Sequence, residues 1–148
     1  MRLTLHTDYS LRVLMFAAIK GETLSTIAEI AEHFDVSRTH LMKVVNALGR
    51  AGYLDTVRGK NGGFRLAKKP SQIKVGAVVR DLEEDLAIVG CMQQKDYCPI
   101  EAACVLRGAL GEGMAAFLAV LDRYTLADLV KPRRPLAKLR DLDAFVPA

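Results

Sequence analysis

Residues 37–66 read SRTHLMKVVNALGRAGYLDTVRGKNGGFRL, a helix pattern that runs directly into a hairpin pattern. In the first part Leu41, Val44, Val45 and Leu48 recur at helical spacing, with Ser37 opening the helix and Gly52 supplying its C-terminal stop. Arg38, Thr39, Lys43, Asn46 and Arg50 fall on the opposite face. Apolar and polar residues then alternate on both sides of GKNGG, so residues 53–68 predict two short strands joined by a glycine-rich turn.

Two further helices precede this stretch. Residues 7–20 place Leu11, Val13, Leu14, Phe16, Ala17 and Ala18 at helical spacing, with Thr7 as the expected N-cap and Asp8 as an acid in the first turn. A second helix is expected to start near Ser25, a capping residue with Glu29 close behind, and to carry Ile27, Ile30, Ala31 and Phe34 inward before Asp35 and Val36 turn the chain. Three helices followed by a hairpin is the order of a winged helix-turn-helix.

Downstream, a fourth helix is expected over residues 75–84, followed by a loop that holds every cysteine of the chain. Residues 105–130 then set Val105, Leu106, Leu110, Met114, Phe117, Leu118 and Leu121 along one stripe. Glycines inside this helix weaken it by roughly 1 kcal/mol each and let another backbone approach closely, so a helix from a second subunit is expected against the stripe. The fold class is therefore mainly α: a winged helix-turn-helix DNA-binding domain with a long C-terminal dimerisation helix. The expected divisions are 1–85 for the DNA-binding domain, 86–104 for the cysteine loop, 105–130 for the dimerisation helix and a short terminal helix, and 131–148 for an extended basic tail.

Composition agrees with a compact protein, since 148 residues at 51% hydrophobic content suffice for one buried core. No stretch reaches the roughly 18 consecutive apolar residues of a membrane span, and MRLTLHTDYSLR lacks the apolar run of an export signal, so a cytoplasmic location is expected. Formal net charge is only +4, but it is unevenly placed. Residues 37–69 carry eight basic side chains (Arg38, Lys43, Arg50, Arg58, Lys60, Arg65, Lys68 and Lys69) against Asp55 alone, whereas residues 81–104 carry six acids against Lys95 alone. Such separation points to one surface for a polyanion, with the cysteine segment held apart from it.

In a helix-turn-helix the second helix enters the major groove with its first residues nearest the bases, which here are Ser37, Arg38, Thr39 and His40. Arg38 can pair bidentately with guanine, and Lys43 lies where it can reach a phosphate. His40 reads either as a contact or as a side chain packed at the edge of the core. At the hairpin tip Arg58 and Lys60 stand beside Asn61, Gly62 and Gly63, with Arg65 on the return strand, which gives a cationic turn slim enough for a minor groove. Taken singly, the helix charges could be a solvated face and the glycines a tight turn. Their joint occurrence in this order favours double-stranded DNA as partner.

Cys91, Cys98 and Cys104 stand in the pattern C-x6-C-x5-C, unlike the paired C-x2-C knuckles of structural zinc sites or the C-x-x-C of thiol oxidoreductases. An odd number of thiols cannot all pair within one chain, and the polar loop around them differs from the apolar setting of inert cysteines. Soft thiolates suit an iron-sulfur cluster, zinc or copper(I), and three of them leave a tetrahedral site one ligand short. No Ser-His-Asp set, paired carboxylates or phosphate-cradling GxxxxGK[ST] is visible, so an enzyme is not expected.

Together, VSRTHLMKVVNALGRAGY, VRGKNGGFRL, VGAVVRDLE, YTLADLV and the three cysteines resemble the Rrf2-type winged-helix transcriptional regulators over nearly the whole chain. HTDYSLR, RGKNGG and LDRYTLADLV resemble most closely the nitric-oxide-sensing repressors of that family. Its iron-sulfur assembly regulators carry a histidine three positions beyond the third cysteine, where this chain has Arg107; its iron-responsive regulators share the wing and the cysteine trio and are the alternative. The resemblance implies a homodimer that binds a palindromic operator and is released by nitric oxide. It also implies a 4Fe-4S cluster, with 2Fe-2S as the alternative, held by Cys91, Cys98, Cys104 and Asp8 of the partner subunit. Arg12, one turn from Asp8, would then hold that carboxylate in place, although a first-turn acid and an i,i+4 pair are also ordinary helix features. A zinc or thiol-redox DNA-binding regulator is the rival reading.

Overall fold

The computed structural model describes residues 2–131, so the tail expected over residues 131–148 lies, apart from Lys131, outside the described residues. The elements run α1 (Leu5–Lys20), α2 (Ile27–Phe34), α3 (Arg38–Arg50), β1 (Leu54–Val57), β2 (Gly63–Leu66), α4 (Val75–Leu82), α5 (Gly90–Gln93), α6 (Val105–Asp122) and α7 (Leu126–Leu129). This is the mainly helical winged helix-turn-helix with a long C-terminal helix that the sequence predicts.

Two helix starts differ from expectation. Thr4, not Thr7, caps α1, because its hydroxyl accepts from the Thr7 amide at 3.3 Å, which starts the helix earlier and leaves Thr7 buried in the first turn. The Thr4 amide and hydroxyl also donate to Glu83 at 2.8 and 3.1 Å, tying this end of α1 to the end of α4. Thr26, not Ser25, caps α2, because Thr26 and Glu29 have the three-residue spacing of a reciprocal capping box: the Thr26 amide donates to Glu29 at 2.7 Å and the Glu29 amide to Thr26 at 3.2 Å. Ser25 instead extends the sheet, exchanging backbone hydrogen bonds of 2.8 and 2.9 Å with Phe64. Asp35 then turns the chain in the left-handed region at φ 52°, a conformation its short polar side chain tolerates.

The core gathers Val13, Leu14 and Phe16 of α1, Ile30 of α2, Leu41, Val44 and Leu48 of α3, Phe64 of β2, Val78 of α4 and Leu126 of α7. The hairpin is antiparallel with Leu54 opposite Leu66 and Val57 opposite Gly63. At its base the Tyr53 hydroxyl donates to Asp81 at 2.5 Å; burial and that carboxylate push the phenol well above the ordinary tyrosine range, so it stays a donor.

α6 meets this core only near its end. None of its residues is buried, and Val105 and Leu106 are 85% and 64% exposed at its start, whereas Leu110, Met114, Phe117, Leu118 and Leu121 are half-buried. At the other end Arg80 grips Asp122 bidentately at 2.8 and 2.5 Å, and the chain folds back so that the Val75 amide bonds to Tyr124 and the Leu126 amide to Ile73. Gly76 lies against Asp122 so closely that a Cβ there would collide with the carboxylate and stand 3.1 Å from the Asp122 amide. Gly76→Ala should therefore destabilise the protein by about 1–3 kcal/mol in denaturant unfolding, because Asp122 cannot retreat while Arg80 holds it.

Candidate nucleic-acid interface and metal centre

On α3 the apolar stripe Leu41, Val44, Val45 and Leu48 is buried, which turns Ser37, Arg38, Thr39, His40, Lys43, Asn46 and Arg50 into solvent. His40 is exposed, with its ring 6.5 Å from that of Tyr9. Met42, 50% exposed, shares this face and was not singled out from sequence. Helical spacing from Arg38 and Asn46 places it there, but methionine reads as a core residue type, and that reading hides it.

In the wing Arg58, Lys60, Asn61 and Arg65 are all exposed, and the tip bends at Gly59, whose φ of 119° requires glycine. Gly62 and Gly63 also serve the fold. A Cβ on Gly62 would collide with the Val57 carbonyl, and one on Gly63 would stand 2.5 Å from the Ser25 carbonyl, so both glycines let backbones close. The cations of α3 and the wing, and Lys68 and Lys69 after them, are all exposed.

Asp8 sits in the first turn of α1, where its carboxylate takes both Arg12 Nε at 3.2 Å and a terminal Arg12 nitrogen at 2.9 Å, the two side chains being 41% and 44% exposed. The guanidinium also lies 5.9 Å from the Tyr9 ring centroid and 5.8 Å from that of Phe34. Arg12 thereby joins the Asp8 carboxylate to the helix that precedes α3.

The cysteines follow on the far side of the fourth helix. Cys91 is in α5, Cys98 is in the turn that follows, and Cys104 immediately precedes α6; all are free and half-buried. The loop is folded on itself at Gly90, where a Cβ would meet the Tyr97 ring at 2.7 Å, so the positions just before Cys91 and Cys98 are in contact. Among the described residues, no three His, Cys, Asp or Glu side chains are gathered as a group that could hold a metal. In donor chemistry the loop fits an iron-sulfur cluster: it offers three free, soft thiol ligands, and Glu101 beside them has a buried, unpartnered carboxylate oxygen.

Comparison with known proteins adds the following. The Rrf2 family, described as "Iron-dependent Transcriptional regulator", matches residues 3–132. The HTH-type transcriptional regulator NsrR of Bacillus subtilis is 50% identical over 141 residues, covering 94% of this chain and 97% of that protein. Among solved structures, CymR, the global cysteine regulator of B. subtilis, superposes with a TM-score of 0.70 at 28% identity, covering 87% of this chain and 95% of that one. The T. potens IscR structure gives 0.68 at 25% identity over 100% and 94% of the two chains.

Gly63→Ala should push β2 away from Ser25 and cost about 1–3 kcal/mol of stability in denaturant unfolding. Ala at the freely exposed Asn61 should leave the unfolding midpoint unchanged.

Proposed function

This chain belongs to the Rrf2 family of transcriptional regulators, and we propose that it is a dimeric, cytoplasmic iron-sulfur repressor released from palindromic operator DNA by nitric oxide. The observation that carries this reading is the position of Cys104 directly before α6, whose first turn exposes Val105 and Leu106. A helix that leaves an apolar end in water suits a partner subunit, and the cysteine loop runs into that same end.

When bound, a 4Fe-4S cluster, or a 2Fe-2S cluster in the alternative, supplies iron that reacts with nitric oxide. Cys91, Cys98 and Cys104 would hold it, with Asp8 of the partner subunit as the exchangeable oxygen ligand. Arg12 fixes the Asp8 carboxylate through two hydrogen-bonding nitrogens and is itself braced by Tyr9 and Phe34. On the DNA side Ser37, Arg38, Thr39 and His40 would face the major groove, Lys43 a phosphate, and Arg58, Lys60, Asn61, Gly62, Gly63 and Arg65 the minor groove and its backbone. Two-fold symmetry of the dimer accounts for a palindromic site. The iron-dependent description of the family favours an iron-responsive regulator as the second reading.

Protein purified anaerobically should contain iron and sulfide, and operator binding, followed by gel shift, should be lost as nitric oxide is added. Colourless protein carrying zinc would overturn the cluster. Operator binding that survives nitric oxide but fails on iron chelation would favour the second reading.

Substitutions separate the parts. Asp8→Ala should alter the visible absorbance and the rate of reaction with nitric oxide while DNA contacts persist. Arg38→Ala should cost about 1–3 kcal/mol and relax discrimination at one base pair, whereas Lys60→Ala should weaken all sequences alike and reduce the salt slope by about 1.

A further inference from the structure

Glu101 and Arg107 lie three residues either side of Cys104 and form an ion pair at 3.1 Å, with side chains 15% and 42% exposed. The backbone of Glu101 is also committed to the cysteines: its amide donates to the Cys98 carbonyl at 3.1 Å, and its carbonyl accepts from the Cys104 amide at 3.4 Å. Glu101 is thus bonded on one side to Cys98, on the other to Cys104, and through its side chain to α6. Its second carboxylate oxygen is buried without a hydrogen-bond partner, which is costly for a charged group. A cavity of about 500 Å³ adjoins it, lined by Met92, Glu101, Cys104, Arg107, Gly108 and Gly111.

We propose that Glu101, tethered by Arg107, is a positioning residue of the cysteine site: it sets the spacing of Cys98 and Cys104 ahead of the first turn of α6 and keeps a carboxylate oxygen unpaired beside Cys104. This rests on the reading that these cysteines are ligands. The geometry explains three observations together. A glutamate in a short exposed loop is held mostly out of water, Arg107 occupies a position one helical turn beyond Cys104, and the glutamate with the unpartnered oxygen lines the depression beside Cys104, where a cation or hydrogen-bond donor would satisfy it. Arg107 is too basic to ligate metal and acts here as the anchor of the carboxylate.

The test begins on the metal-free, reduced chain. Alkylation of each cysteine by iodoacetamide is followed by mass spectrometry for wild type, Glu101→Ala, Arg107→Ala and the charge-exchanged pair Glu101→Arg with Arg107→Glu. In Glu101→Ala and Arg107→Ala, Cys98 and Cys104 should react roughly fivefold faster while Cys91 stays unchanged, as expected when a local opening becomes about 1 kcal/mol easier. The exchanged pair should return both rates toward wild type. Equal rates in all variants, or an equal rise at all three cysteines, would overturn the proposal.

The second measurement uses Glu101→Gln, which keeps the shape and one acceptor for Arg107 but removes the charge. After anaerobic reconstitution its iron and sulfide content should match wild type while its visible circular dichroism changes. Superimposable spectra would overturn the role of the free oxygen. Wild-type protein that takes up no iron and sulfide would instead remove the ligand reading, leaving the alkylation result to judge the spacing role by itself.

Discussion

The grip of Arg80 on Asp122, with Gly76 pressed beneath it, fixes how α6 leaves the core. A charged pair with both members about 41% exposed contributes little stability by itself. Its consequence is geometric. It sits where Gly76 admits the helix at backbone distance, and the chain immediately beyond turns back through Tyr124 to bury Leu126 beside α1 and the segment that leads into α4. One end of α6 is therefore part of the DNA-binding core, and the other carries the cysteine loop away from it. An 18-residue helix is about 27 Å long, and Cys104 stands at the end opposite Asp122.

That separation has an electrostatic side. The basic residues of α3 and the wing face solvent, as a surface for a polyanion must, while the acids cluster at residues 81–104. Of those acids, Asp81 is taken by Tyr53, Glu83 by Thr4 and Glu101 by Arg107, so several serve as internal ties. The same three contacts join the hairpin base, the start of α1 and the cysteine loop to the helical frame. Acids placed in the cysteine segment rather than among the basic residues also avoid repelling phosphate.

The fold was legible in sequence because its signals are local and redundant. The stripe Leu41, Val44, Val45 and Leu48 identifies one face of α3, and that by itself decides which side chains remain for DNA. Errors arose where two residues of the same type competed: Thr4 and Thr7 are both fit to cap α1, and Ser25 and Thr26 both fit to cap α2. Capping-box spacing to Glu29 favours Thr26, whereas the pairing of Ser25 with Phe64 spans a sequence separation that local pattern cannot express. The wing glycines were legible as a turn, but not as the places where Val57 and Ser25 approach. Glu101 was invisible for a similar reason: nothing in PIEAAC tells that a glutamate there is sheltered, half-satisfied and bonded to a cysteine on each side.

For the cysteine loop, the energetic question is what keeps the 14 residues from Cys91 to Cys104 ordered with so little core of their own. Its exposed Tyr97 and Ile100, at 61% and 65%, contribute little burial within one protomer. Order instead comes from directed contacts: Tyr97 on Gly90, the turn bonds through Glu101, and the ion pair to Arg107. Each is worth on the order of 1 kcal/mol, against roughly 1–2 kcal/mol of backbone entropy for every residue held. A few such contacts cannot offset that cost across the loop. The remainder comes from packing of its half-buried side chains, Cys91, Met92, Cys98 and Cys104 among them, and would be increased by the proposed ligands on the thiols and the proposed second subunit over Val105 and Leu106.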